Sequence, residues 1–455
     1  MQLCKCTTCN QKNVDSEAFC WSSSPQSRAL QIERTALRSS ESRNETYILY
    51  RAIANLESLV TLRIWDHGKR SALPQNQKVP AMTTIDPNLS YRLSRYCVLR
   101  PEGEGFVAES LVSGHRQALP NPTTIKLLLS LVLPVKLSSV LERVEPRHYD
   151  ALLQFFERCV DEGLITAIGE DGTAVEEQSV GLRYWEAHDL AFHMHSRRGR
   201  NTCPVGATWH LASKIPIDPP YQPSSSKLAT IQLKRPDLQQ LLECDPSLSR
   251  VLESRRTRYG VAPVSLEALS ELLFRSCRAT DTLGTGDENL IRRVYPSGGS
   301  RHSLNVYVVA HRCAGLNTGG YRYDFMNHQL EYICESNASL DGLLRDAQAG
   351  TGGVLKDFPS VLLVFTSRIR RVTRKYQSLA YRVVLQEVGA LYQTIYLIAE
   401  TLKLRVSAIG TGNSDLFAKA FSTDFFSEPS VGEMILGGDP SEPELLKLHT
   451  NALLE

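Results

Sequence analysis

The chain has 455 residues, 42% hydrophobic and 22% charged, which is globular composition with length enough for more than one buried core. Its 28 Gly and 22 Pro exclude a collagen-like or wholly low-complexity chain, and a formal net charge of +2 lacks the basic excess of a nucleic-acid partner. No run reaches the ~18 apolar residues of a membrane span, no basic stretch leads into an apolar core as in a secretory signal, and 11 scattered Cys fit reduced thiols better than a disulfide framework, so a cytoplasmic protein is expected.

Residues 1–88 read as an extension, partly disordered or of unknown fold. Cys4, Cys6, Cys9 and Cys20 lack the paired C-x2-C knuckles of structural zinc sites, so no metal is expected. Tyr47 to Trp65 is apolar enough for an ordered element, and Gln75 to Asn88 reads as a linker.

Residues 89–178 form the next unit. Tyr96 to Leu99 and Gly105 to Ala108 read as short strands around a Pro-Glu-Gly-Glu-Gly turn. Thr123 or Thr124 can cap a helix through Val132, and Lys136 to Val144 suits a second. Leu152, Phe155, Phe156, Cys159 and Val160 share one face of a third helix, which Gly163 can end. Leu164 to Ile168 is then a strand, followed by the turn Gly169 to Gly172. Three helices and a hairpin is the order of a winged helix. Between Glu145 and Gly163, five acidic residues face two Arg, the wrong sign for a helix on phosphate. Peptide binding along a strand edge suits this scaffold better than DNA, with a structural or dimerising module as the plainer alternative.

Residues 179–245 read as a connecting region. His188, His193, His195 and His210 lack the helical spacing of a metal face. Arg197, Arg198 and Arg200 read as a solvated loop, and the Pro- and Ser-rich stretch from Ile215 to Ser226 reads as the domain boundary.

Residues 246–455 read as α+β. Ser265 caps a helix through Phe274. Leu304 to Ala310 is a strand, Gly319 to Asp324 and Gln329 to Cys334 form a hairpin, and Ser360 to Thr366 is a buried strand. Ala380 to Leu402 is a long helix, apolar on most faces, suited to a domain centre or a subunit interface. Val406 to Ile409 is a further strand.

Four stretches carry residues suited to chemistry. Arg255, Arg256, Thr257 and Arg258 combine guanidinium forks with a hydroxyl, a set that suits phosphate. In Tyr295-Pro-Ser-Gly-Gly-Ser-Arg-His302, Gly298 and Gly299 let the backbone approach a ligand and Ser297 adds a hydroxyl; the spacing of a nucleoside-triphosphate loop is absent. Arg374-Lys375-Tyr376 offers a candidate base and acid. Ser407-Ala-Ile-Gly410-Thr-Gly412 ends a strand with glycines that could line a cofactor.

Taken in this order, these stretches resemble the nitroreductase-like flavin fold, in the streptolysin-type branch of azoline dehydrogenases. Trp185-Glu-Ala-His-Asp-Leu190, His195-Ser-Arg-Arg-Gly-Arg200, Gly319-Gly-Tyr-Arg-Tyr-Asp324 and Tyr381-Arg382 carry the same resemblance. With a winged-helix-like region ahead of it, the chain is most similar to the cyanobactin azoline oxidases. The resemblance implies a dimeric, FMN-binding C-terminal domain with a mixed sheet flanked by helices. It implies oxidation of thiazoline or oxazoline rings to thiazoles or oxazoles in a precursor peptide. By position, Arg255, Arg256, Thr257 and Arg258 would hold the FMN phosphate, Ser297, Gly298 and Gly299 would pass near the flavin, and Gly410 would lie on the phosphate side. Lys375 and Tyr376 would be the catalytic pair. The winged helix would recognise a leader peptide, each FMN would lie between subunits of a homodimer, and a heterocyclase is a possible partner.

The ring carbon between carbonyl and imine nitrogen is acidic, so a base can take its proton while hydride leaves the neighbouring carbon. Lys375 is the expected base, made neutral by burial; Tyr376 would orient it, or the two roles would exchange. Oxygen is the expected final acceptor. The alternatives are an NAD(P)H-dependent flavin reductase of small molecules, a winged-helix transcription regulator and a flavin-free scaffold of a heterocyclase complex.

Overall fold

The computed structural model of the protein describes residues 85–439, apart from 120–121, 202, 226 and 284–289. The readings made for Cys4 to Cys20 and for Tyr47 to Trp65 lie outside the described residues. The chain divides into two compact units that meet in sequence between Leu190 and Ala191.

Among its described residues the first unit contains two small sheets. Strand β1 (Ser90–Leu93) begins one of them. A meander of β2 (Cys97–Glu102), β3 (Gly105–Ser110) and β4 (Arg116–Leu119) forms the other, with antiparallel neighbours throughout. Helix α1 (Pro122–Ser130) starts at a proline, whose missing N–H costs nothing in a first turn. Strand β5 (Val135–Lys136) leads into α2 (Leu137–Leu141), shorter than expected, and then α3 (Tyr149–Asp161). The apolar spacing read in α3 does bury Leu152, Phe156 and Cys159, and Phe156 meets Tyr91 edge to face at 5.7 Å. Strand β6 (Ile165–Ile168) follows. The expected hairpin after α3 is not built from consecutive strands. After Gly172 the chain turns into the short helix Val175–Gln178, and β6 pairs instead with β1, giving the order β5-β1-β6. Glu176 explains the choice, because its buried carboxylate accepts from the Ser94 hydroxyl and the Arg95 N–H, tying the segment after β6 to the segment after β1.

The second unit is organised by one sheet. Its short strand β7 (Gly206–Ala207) lies outside that sheet, and β8 (Ala229–Gln232) forms one edge. Helix α4 (Leu248–Ser254) precedes α5 (Leu266–Cys277), whose Ser265 cap accepts the Ala268 N–H as the sequence predicts. The remaining strands of the sheet are β9 (Leu304–Ala310), β10 (Gly319–Asp324), β11 (Gln329–Glu335), β12 (Val361–Ser367), β14 (Arg405–Ile409) and β15 (Ser430–Gly437). A two-residue strand, β13 (Tyr376–Gln377), comes between β12 and β14 in sequence. The helices are α6 (Ala338–Ala349), α7 (Ala380–Thr401) and α8 (Ser414–Phe421). Spatial order is β14-β15-β12-β9-β10-β11-β8.

A mixed sheet was expected. Among the described residues every neighbouring pair in this sheet is antiparallel. Both faces are nevertheless covered, which explains the unbroken apolar runs of β9 and β12. Val361, Leu363 and Phe365 join Leu269, Leu273, Val384 and Leu391 on one face. Leu362 and Val364 join Leu340, Leu344 and Phe417 on the other. Side chains alternate across a strand, so a strand between two cores reads as continuous hydrophobe. Each such buried Leu or Val stabilises the fold by about 1.5–3 kcal/mol.

The expected boundary at Ile215 to Ser226 is corrected: that stretch belongs to the second unit. Asp218 is buried against Arg368, with N···O at 2.6 Å. Tyr221 donates its hydroxyl to Asp324 at 2.8 Å, and Arg322 donates to the Gln222 carbonyl. Strand β8 then pairs with β11. Proline and serine there mark a fixed strap, because its polar backbone is satisfied by arginines of the domain body. No helix among the described residues is long and apolar enough to cross a membrane.

Candidate active site

Two loops meet at the start of α7. The first follows the buried Tyr295 and turns sharply at Gly298–Ser300. Gly299, Ser300 and His302 all have positive φ, at 61°, 54° and 41°. The second follows the short helix Ile369–Thr373 and delivers Lys375 and Tyr376. A Cβ placed on Gly299 would lie 2.4 Å from Lys375 Nζ and 2.5 Å from Tyr376 Oη. Gly299 is therefore required twice, for its φ and for the space that the pair occupies. A Cβ on Gly298 would lie 2.5 Å from Val383 Cγ1, so that glycine lets the loop close on the first turn of α7.

The strap from the start of the unit covers the pair. Strand β7 pairs with β13, setting Ala207 opposite Tyr376 and Gly206 opposite Gln377. Thr208 donates to Gln377 at 2.9 Å, and the Trp209 N–H donates to the Lys375 carbonyl at 3.0 Å. The Trp209 ring has Arg301, Lys375 and Arg374 at 4.9, 5.6 and 5.7 Å from its centroid, a cation-rich surround for an aromatic face. Burial pushes the Tyr376 hydroxyl above its usual range, and Arg301 works against that shift. Both Lys375 and Tyr376 are half-buried.

Beneath the glycine loop lies a buried polar group. Glu387, on the buried stripe of α7, accepts from the Ser303 N–H at 3.4 Å and the Ser303 hydroxyl at 3.2 Å. The nearby Ser297 side chain helps to hold the carboxyl pKa down against burial. Ser297 Oγ in turn accepts the His302 N–H at 2.9 Å.

The arginine cluster sits at the other end of α7. Arg255 ends α4 and stacks its guanidinium 5.5 Å from the Tyr396 ring. Tyr396 accepts the Ala408 N–H at 2.8 Å, two residues before Gly410. Gly410 has open space where a Cβ would stand. Arg256 and Thr257 are exposed. Arg258 is engaged: its guanidinium pairs with Glu400 at 2.6 Å and reaches the Ser254 carbonyl. The fold thus joins Ser297, Gly298, Gly299, Lys375 and Tyr376 in one place, and Arg255 with the Gly410 strand in another.

Sequence reading missed Trp209, His302 and Glu387 as site residues. His302 lay inside a singled-out motif but was given no part. Glu387 carried a usable signal, since Val383, Val384, Glu387, Val388 and Leu391 put one carboxyl on the buried face of an apolar helix. Trp209 carried none, because its place depends on a strap more than 160 residues away in sequence from Lys375.

Residues 91–202 match the family model described as cyanobactin oxidase ThcOx, and residues 253–437 match that of the nitroreductase family. A nitroreductase-type protein of Methanocaldococcus jannaschii is 27% identical over 183 residues, 40% of this chain and 84% of that one. The microcin B17-processing protein McbC of Escherichia coli is 26% identical over 168 residues, 35% of this chain and 57% of McbC. Among solved structures, the E. coli microcin synthetase McbBCD complex with truncated pro-MccB17 bound matches at 18% identity and a TM-score of 0.35, covering 57% of this chain and 96% of that one. The second unit therefore has a nitroreductase-like fold, carried in one chain with a region that matches the cyanobactin oxidase model.

Proposed function

We propose that the protein is an FMN-dependent oxidase that converts thiazoline or oxazoline rings of a ribosomal precursor peptide to thiazoles or oxazoles. The observation that carries this reading is the meeting of Gly299 with Lys375 Nζ and Tyr376 Oη in a nitroreductase-like fold. The cyanobactin oxidase match and the likeness to McbC support the peptide substrate.

The residues present fit FMN. The missing Cβ atoms of Gly298 and Gly299 make room for Val383, Lys375 and Tyr376, which sets the pair against the loop, and the space beside Gly410 is open for a ligand. Arg255, Arg256 and Thr257 offer a guanidinium pair and a hydroxyl for the phosphate. FMN, when bound, supplies the acceptor for the hydride. Lys375 Nζ takes the proton from the ring carbon beside the carbonyl. Tyr376, protonated because burial raises its pKa, donates a hydrogen bond and leaves the base role to Lys375. The Trp209 strap limits the approach of water to the pair.

A homodimer suits the same reading. Val383 and Tyr396 are 13 residues apart on α7, roughly 20 Å at 1.5 Å per residue, so the glycine loop and the arginines stand at opposite ends of the helix. Tyr381, Leu385, Gly389 and Gln393 lie four apart on its exposed face, with open space beside Gly389. A second copy packed antiparallel there would bring the arginines of one protomer toward the glycine loop of its partner. Oxygen is the proposed final acceptor, residues 89–178 the peptide-recognition region, and a heterocyclase the proposed partner.

The test is the visible spectrum of the purified protein, with identification of any chromophore released on denaturation, followed by incubation with an azoline peptide. FMN release and a loss of about 2 Da per ring, two hydrogens, are expected. A colourless protein that takes up no added FMN would overturn the reading.

A further inference from the structure

The glycine loop is held in an unfavourable shape, and something must hold it. Positive φ at Ser300 and His302 costs free energy for residues with a Cβ. Three side chains under the loop oppose that cost. The Ser297 hydroxyl accepts the His302 N–H and helps to hold down the Glu387 pKa. Glu387 accepts from both donors of Ser303, and Ser303 is joined to Ser367 of β12 at 3.0 Å. His302 Nδ1 and Glu387 Oε1 face each other at 3.8 Å, and both atoms are buried without a hydrogen-bond partner. The Tyr295 ring packs edge-on against the His302 ring at 5.4 Å and closes the other side.

An ionised carboxylate facing an imidazolium in this buried setting would carry the desolvation cost of both ions, and the imidazolium would also face the Arg293 and Arg371 charges. A carboxylic acid facing a neutral imidazole needs one proton and no net charge. Burial drives both groups that way: it raises the Glu387 carboxyl, outweighing Arg293 and the Ser297 and Ser303 donors that pull it down, and pushes the His302 imidazole down to about 3, with Arg293 and Arg371 adding to the latter.

We infer that Glu387 and His302 form a buried one-proton pair that holds the Ser297–Gly299 loop against Lys375 and Tyr376. They are positioning residues, since the contacts found for them run to the loop and not to the reacting pair. The inference rests on the FMN reading only for its consequence, namely that this loop must keep its shape for the flavin to seat.

The test has one readout without flavin and one with it. In the apoprotein, amide hydrogen exchange at His302 and Ser303 reports the two bonds directly. Glu387→Leu, which removes the acceptor of the Ser303 N–H, should speed exchange at Ser303 roughly tenfold or more, the effect of leaving a buried donor unpaired, and should speed exchange at His302 by loosening the loop. Glu387→Gln, which keeps an acceptor and can donate to His302 Nδ1, should restore slow exchange. Ser303→Ala removes one donor and should give an intermediate rate at His302; it serves where Glu387→Leu fails to fold. With FMN added, Glu387→Leu should weaken binding roughly tenfold and shift the bound-flavin spectrum toward that of free flavin, with Glu387→Gln near wild type. Wild-type exchange in both Glu387→Leu and Ser303→Ala overturns the inference, as does Glu387→Gln exchanging as fast as Glu387→Leu. A wild-type chain that takes up no FMN defeats the proposed function alone, because the exchange rates still judge the pair.

Discussion

The two ends of α7 are built by different physics. At its start, the glycine loop, Lys375 and Tyr376 are fixed by backbone shape and a buried polar group. At its end, Arg255, Arg256 and Arg258 stand at or near the surface and present charge. At the first end position decides the outcome, and a displacement of about 1 Å in a catalytic group is expensive in rate. At the second end each charge is screened by water and salt, so single losses are mild. The same class of substitution should therefore have unequal effects at the two ends.

The largest effect is expected from Lys375→Ala. Loss of a general base lowers kcat by about 10²–10⁴-fold, while FMN should remain bound. Turnover of an azoline peptide at saturating substrate, with flavin content measured beside it, decides the matter. Tyr376→Phe should cost less if, as proposed, the hydroxyl orients and Lys375 takes the proton. Wild-type turnover in both variants removes the pair from the chemistry. Gly299→Ala comes next. Its Cβ would meet Lys375 Nζ and Tyr376 Oη, the movable ends of flexible side chains, so the fold should survive with about 1–2 kcal/mol of backbone cost. The pair must shift, and a displacement near 1 Å costs on the order of 10²-fold in kcat. Kinetics and thermal melting of one sample separate the two consequences.

Much of the first end was legible in the sequence, and the reasons are local. Gly298 and Gly299 before a strand, and Lys375 beside Tyr376, announce themselves as residue types. That they touch is a tertiary fact, since β9 and β12 run side by side with Leu304 opposite Ser367 and so bring their ends together. The helices and central strands were legible because their apolar periods agree with burial on one face or two. The strap from Ile215 was misread for the opposite reason: Pro and Ser look the same in a free linker and in a segment held by Arg368, Arg371 and Arg374. The all-antiparallel order of the sheet depends on which strands neighbour each other, and no local pattern encodes that.

At the second end, Arg255→Ala should weaken FMN binding about tenfold, the worth of one charge-assisted hydrogen bond, and more so at low ionic strength. Titration of apoprotein with FMN at two salt concentrations checks this; equal affinity at both would move the phosphate elsewhere. A smaller effect separates the ends by pH. The native state keeps His302 neutral down to about 3, whereas the unfolded chain protonates it near 6.5. Below that value the unfolded state binds the extra proton, so the contribution of His302 is complete above pH 6.5 and is lost as pH falls from there toward 3. His302→Gln cannot protonate. Its urea midpoint should fall less between pH 7 and pH 5 than that of the wild type, and an identical fall would place the acid sensitivity in other groups.

The smallest effect is expected where the sequence assigned a phosphate role. Arg258 was expected to hold the FMN phosphate beside Arg255 and Arg256, but its guanidinium pairs with Glu400 of α7 at 2.6 Å and bonds the Ser254 carbonyl that ends α4. Its side chain is 38% exposed and that of Glu400 14%, so the pair is worth no more than about 1 kcal/mol, and less in salt. Arg258→Ala should therefore lower thermal stability slightly, with the loss shrinking at high ionic strength, and should weaken FMN binding less than Arg255→Ala does. Glu400→Gln should reproduce the stability change, because it breaks the same pair. If Arg258→Ala instead weakens FMN binding as much as Arg255→Ala does, the guanidinium leaves Glu400 when phosphate arrives. The second end would then be rearranged by its ligand, while the first is built in advance.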